Sequence, residues 1–154
     1  MTAQPMTWRD TLAAGDIVAF KFPCPDDPAA EKSRPCLVVA VDRIAGEAVV
    51  VYGTSRWTGA NRGLELHVTA PAACEEAALD RPTRFVGARR VRVPLESVRF
   101  VECRAGTAVL GRLGEAFRPR LDRLRHGGPR HARRGPWRRP GRRPGHSRQH
   151  RRPT

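Results

Sequence analysis

Apolar and polar positions first fall into a clear order between Ile17 and Phe22. Val18, Phe20 and Phe22 make one apolar face and Lys21 points the other way, which predicts a half-buried strand opening after Gly15-Asp16. Trp8 to Ala14, just before it, predicts a short helix. The stretch PCPDDPAAEKSR that follows the strand holds three prolines and two aspartates and has no period. It is a loop, long for a small domain, and long loops on rigid scaffolds often carry function. CLVVAV and AVVVYG are β-branched apolar runs separated by DRIAGE, where Gly46 supplies the permissive turn position, so an antiparallel hairpin is predicted. In LELHV, Leu64, Leu66 and Val68 face inward while Glu65 and His67 face outward. AACEEAALD predicts a helical turn, and TRFVGARRVRVPL and SVRFVE predict further strands. AVLGRL predicts a last strand or turn before a short helix near Leu113 to Leu124, which Pro119 confines to its first turn or kinks. Six or seven short strands with few helices predict a mainly β domain, a small closed barrel whose closure removes exposed strand edges. No internal repeat is present.

Charge divides the chain. The protein has 154 residues and a formal net charge of +14, but up to Phe117 there are 15 Lys+Arg against 14 Asp+Glu. From Arg118 onward there are 14 Arg and one acid, Asp122. The basicity therefore belongs to the C-terminal stretch and does not make the patterned region a nucleic-acid binder. We place a domain boundary at residues 1–125 and a tail at 126–154. The tail is a low-complexity Arg/Pro/Gly/His mixture with almost no apolar residues, and is expected to be disordered. Two readings of it are open: non-specific phosphate binding to RNA or DNA, and the composition that GC-rich DNA encodes when read out of frame. The second weighs more. No apolar run approaches the roughly 18–20 residues of a membrane span, and MTAQPMTWRD lacks the pattern of a secretory signal. Cys24, Cys36, Cys74 and Cys103 form no C-x-x-C pair, so reduced structural thiols in a cytoplasmic protein are expected rather than a zinc site.

Two polar junctions flank the apolar runs. Lys32-Ser33-Arg34-Pro35 leads the long loop into the second strand, and Gly53-Thr54-Ser55-Arg56 ends the third. Antiparallel pairing sets the start of one strand beside the end of the next, which brings Arg34 and Thr54 to the same end of one hairpin.

On these residues the chain resembles the MazF/PemK family of toxins from type II toxin–antitoxin systems. GDIVAFKFP, KSRPCLVVAVD and VVVYGTSR carry the likeness, followed by RPTRFVGARRVRVPLESV and VLGRL, over roughly residues 14–117. The most specific part is Arg-Pro ahead of an apolar run with Thr-Ser after the next strand. The resemblance implies a compact SH3-like β-barrel, a homodimer, acting without metal or cofactor as an endoribonuclease on single-stranded RNA and restrained by an acidic antitoxin. It also implies functional roles for Arg34 and Thr54. Two differences stand out: the loop before Arg-Pro reads DDPAAEKSR, where the family usually has a glycine, and Gly53 precedes Thr54, where many members have another residue.

The residue types suit that chemistry. Metal-independent RNA cleavage needs the 2′-OH to attack the adjacent phosphate, and an arginine offers a fixed fork of donors to the charge that builds there. Thr54 can bond the phosphate or position the 2′-OH. Lys32, Ser33, Ser55, Arg56 and Trp57 are candidates for holding flanking phosphates or stacking a base. Plainer readings stand beside these. Arg34 could pair with Asp26, Asp27 or Glu31, and Thr54-Ser55 could form an ordinary turn with hydroxyls bonded to backbone. His67 reads as a surface histidine, Cys36 as a buried strand residue, and Arg84 is given no role. The alternative function is a non-catalytic barrel that binds antitoxin or nucleic acid without cleaving it.

Overall fold

The computed structural model describes residues 5–23, 32–56 and 64–127. Within them six strands form one sheet: β1 (Asp16–Lys21), β2 (Ser33–Asp42), β3 (Glu47–Thr54), β4 (Glu65–Val68), β5 (Thr83–Pro94) and β6 (Val109–Arg112). Three helices accompany them: α1 (Trp8–Thr11), α2 (Pro71–Glu76) and α3 (Arg118–His126), the last entered through a 3-10 turn at Glu115–Phe117. The chain is mainly β, and the sheet curls into a half-barrel in the order β4-β5-β3-β2-β1-β6.

Both faces of this sheet are buried, which is why the central strands are nearly continuous apolar runs. On one face Ile17, Leu37, Val39, Val51, Leu66 and Phe85 pack against α2 and against Leu121 and Leu124 of α3. On the other, Val18, Phe20, Phe22, Cys36, Val38 and Val50 pack with Trp8, Leu12 and Phe100. The expected Val18/Phe20/Phe22 face is therefore present, and Ile17 is buried on the opposite side. Each such side chain contributes roughly 1.5–3 kcal/mol when fully buried. At the start of β1 the Asp16 carboxylate accepts from the Ala13 N–H at 2.9 Å and from Arg112 Nε at 2.9 Å, fastening β6 to the central strands.

The hairpin joining β2 and β3 is antiparallel, and Gly46 turns it at φ +66°. Closure differs from expectation. β4 and β6 are the sheet's two edges and do not pair with each other; the end of α2 lies against β6 instead, its Ala77 backbone and Ala78 Cβ packed on Gly111. The strand expected over SVRFVE reduces to a single bridge between Phe20 and Phe100, because Ser97 forms a turn, its N–H bonded to the Pro94 carbonyl and its hydroxyl accepting from the Arg99 N–H. The last helix begins at Arg118, later than Leu113, with Pro119 in its first turn. Proline has no N–H to lose there, so it starts this helix and neither curtails nor kinks it.

β5 is interrupted midway. Val86 pairs with Tyr52 and Arg90 with Val51, so Gly87, Ala88 and Arg89 have no partners on β3. Arg90 holds this bulge, donating through Nε to the Gly87 carbonyl at 2.8 Å and through Nη2 to the Leu124 carbonyl at 2.7 Å.

α2 ends in a Schellman motif: the Leu79 N–H reaches the Cys74 carbonyl at 2.8 Å and the Ala78 N–H reaches that of Glu75 at 3.1 Å. Ala78 takes the left-handed conformation this demands, at φ 57°, which disfavours a side chain bearing Cβ. Ala78→Gly is expected to stabilise the fold by about 0.5–1 kcal/mol, the gain being offset in part by the freer unfolded chain. A higher urea midpoint at unchanged slope is the measurement that checks it.

Candidate functional site

The hairpin register fixes the site. The β2–β3 pairing runs as far as Leu37 opposite Val51; continued toward the strand ends, the same register brings Pro35 against Gly53 and Arg34 and Thr54 to one cleft. At this end lies a cleft of about 660 Å³. Lys32, Ser33, Arg34 and Pro35 form one wall and Gly53, Thr54, Ser55 and Arg56 another. Leu79, Asp80, Arg81 and Thr83, where α2 runs into β5, complete the lining. Six of the seven residues singled out from sequence thus line one cleft. The seventh, Trp57, lies outside the described residues, as do Asp26, Asp27 and Glu31, the acids weighed as partners of Arg34.

Asp80, Arg81 and Thr83 were not anticipated. The signal for them was legible: Asp80-Arg81-Pro82-Thr83 is a second Arg-Pro step leading into a strand, as Arg34-Pro35 leads into β2. Proline biases the residue before it toward extended backbone, so both steps end a loop at a strand mouth. Among the described residues, Asp80 is the carboxylate that lines the cleft.

Arg34 donates through Nη1 to the Tyr52 hydroxyl at 2.6 Å. Thr54 is buried, and its Oγ1 accepts the Arg56 N–H at 3.1 Å. This is the turn geometry foreseen as the plain reading of Thr54, yet it occupies only an acceptor site of the hydroxyl and leaves its proton to donate. The turn is held from behind by Arg84, which donates through Nε to the Arg56 carbonyl at 3.1 Å. Arg84 also donates through Nη1 to Glu65 Oε1 at 2.7 Å, and His67 Nε2 lies 2.7 Å from Glu65 Oε2. His67 keeps its outward position on β4 and does not line the cleft. Arg84 is buried and braces the cleft rim from the next strand, a part that only cross-strand pairing reveals.

Burial works to raise the Glu65 carboxyl, but hydrogen bonds from His67 and Arg84, together with the Arg84 charge, outweigh it and hold the group below its ordinary range. Cys36 lies beneath the site with no exposed surface, and burial pushes its thiol up to about 12 even with the Gly53 backbone and the Arg34 and Arg89 charges pulling it down. A thiol in that state is no nucleophile near neutral pH. Cys36, Cys74 and Cys103 are free thiols. Among the described residues no three His, Cys, Asp or Glu side chains are grouped so as to hold a metal ion, and no helix is long and apolar enough to cross a membrane.

Gly53 explains its own presence. A Cβ there would fall well inside contact distance of the Pro35 carbonyl oxygen and within 3.0 Å of the Phe85 ring. The absence of a side chain lets the Pro35 backbone close against β3 at Gly53. Comparison with models of known protein families gives no match for this chain, and neither does comparison with curated protein sequences.

Two outcomes follow. Gly53→Ala is expected to cost about 1–3 kcal/mol, the range for overpacking a tight site, read as a lower denaturation midpoint. The depressed Glu65 carboxyl contributes stability above its unfolded pKa, and that contribution is lost as pH falls through the folded value. Stability of Glu65→Gln measured against pH should therefore fall less steeply than wild type on the acid side.

Proposed function

We propose that this chain is a MazF/PemK-like toxin: an SH3-like barrel that cleaves single-stranded RNA without metal and is restrained by an acidic antitoxin. The observation that carries the reading is the convergence of Arg34 and Thr54, from sequence-distant junctions, on one open cleft with Lys32, Ser33, Ser55 and Arg56 around them. In this reaction the 2′-oxygen bonds to the adjacent phosphorus and the bond from phosphorus to the 5′-oxygen breaks, giving a cyclic phosphate and a 5′-hydroxyl. Asp80 takes the proton of the 2′-OH, and the leaving 5′-oxygen takes one from solvent. Arg34 offers its donors to the non-bridging oxygens as their charge grows, which lowers the barrier because the guanidinium is already oriented. The Thr54 hydroxyl donates to the same phosphate, and Lys32 and Arg56 hold its neighbours. An acidic antitoxin segment laid in the cleft would replace RNA by the same charge complementarity. A homodimer in the cytoplasm is the setting that goes with this activity.

The test is cleavage of a single-stranded RNA by the full chain in EDTA. Wild type is expected to cut, and Arg34→Ala to lose about 10²–10³ in rate, the scale for removing one preorganised donor. RNA binding without cleavage by wild type would replace the enzyme with a binding module of the same fold.

A further inference from the structure

The bulge in β5 does something that strand pairing alone does not require. It swings Arg89 off the β3 ladder and over Tyr52, with the guanidinium carbon 3.9 Å from the ring centroid and 5.7 Å from that of Phe22. Bulges next to functional sites commonly re-aim a side chain in this way. Arg34 meets the same tyrosine at its hydroxyl end, its guanidinium carbon 5.2 Å from the ring centroid. The two guanidinium carbons, at 5.2 and 3.9 Å from one centroid, are therefore within about 9 Å of each other. Arg89 is half-buried, its guanidinium lies over the two aromatic rings, and no ion pair among the described residues involves it. An aromatic face stabilises a cation by only about 0.5–2 kcal/mol, so the Arg89 guanidinium is suited to take an anion beside the one that Arg34 meets.

We infer that Arg89 is a second phosphate-binding residue, set by the β5 bulge and the Tyr52 ring to hold the phosphodiester next to the one held by Arg34. The site thereby takes a strand with at least two consecutive phosphates, running from the Arg34/Thr54 cleft across Tyr52 toward β5. Both cations also act on the Cys36 thiol beneath them, in keeping with their converging on one place. This inference rests on the proposed function for the identity of the strand, but binding tests it separately from cleavage.

The probes are two 2′-O-methyl oligouridines that cannot be cleaved, a dinucleotide with one phosphodiester and a trinucleotide with two. Each is titrated into the full chain while the backbone amide signals of Gly53 and Thr54 are followed by NMR, so that binding to the arginine-rich C-terminal stretch does not enter the readout. Arg34→Gln is expected to weaken both probes. Arg89→Gln is expected to weaken the trinucleotide about five- to tenfold and leave the dinucleotide within twofold of wild type. Tyr52→Leu, which removes the ring that spaces the cations, should erase the preference for the trinucleotide. Equal weakening of both probes by Arg89→Gln would overturn the inference and make Arg89 a support for Arg34; no weakening of either, or no shift with wild type, would also overturn it. Absence of RNA cleavage by wild type, with the Arg89 pattern intact, would overturn the enzyme and leave the second phosphate site standing.

Discussion

The cleft depends on how closely two strands approach at one end, where the Pro35 carbonyl oxygen sits against the bare Cα of Gly53. Backbone atoms do not yield as side chains do, so this contact sets the separation of β2 and β3 at their open end. Arg34 and Thr54 flank it on either strand, and their spacing is inherited from it. Tyr52, one residue earlier, then turns its hydroxyl to Arg34 and its face to Arg89. A distance decided by one missing methyl group thus propagates to two guanidiniums and a hydroxyl.

The patterned region is close to neutral, yet its charges are sorted. Several acids are engaged away from the cleft: Asp16 with Arg112, Glu102 with Arg9, Glu65 with Arg84 and His67. The cleft itself is lined by Lys32, Arg34, Arg56 and Arg81 against Asp80. A concave surface with an excess of one sign concentrates counter-ions of the other, so net charge gives a poor account of what such a domain attracts.

Much of this was legible in the residues. The hairpin followed from two β-branched runs around Gly46, and the meeting of Arg34 and Thr54 followed from antiparallel pairing alone. Short-range pattern was less informative where tertiary contacts decide. SVRFVE has the composition of a strand, but the Ser97 turn leaves only Phe100 to bridge. Closure failed to follow from strand number, because α2 packs where β4 and β6 would have had to pair. The β5 bulge is hidden within VGARRVRV, since nothing in an arginine pair says which member keeps the ladder and which leaves it. Gly53 first reads as a difference from the resembled family and acquires its meaning only from a neighbour eighteen residues away in sequence, Pro35.

Cys36 gives this end of the molecule an internal clock. Its sulfur is sealed beneath the strand ends and holds its proton up to about 12, so alkylating reagents in neutral solution meet it only when β2 parts from its neighbours. Once released, the thiol returns to the ordinary cysteine range and reacts far faster. The rate at which Cys36 is labelled therefore counts the openings of the sheet at this end, and any occupant that clamps the two strands together will slow the count.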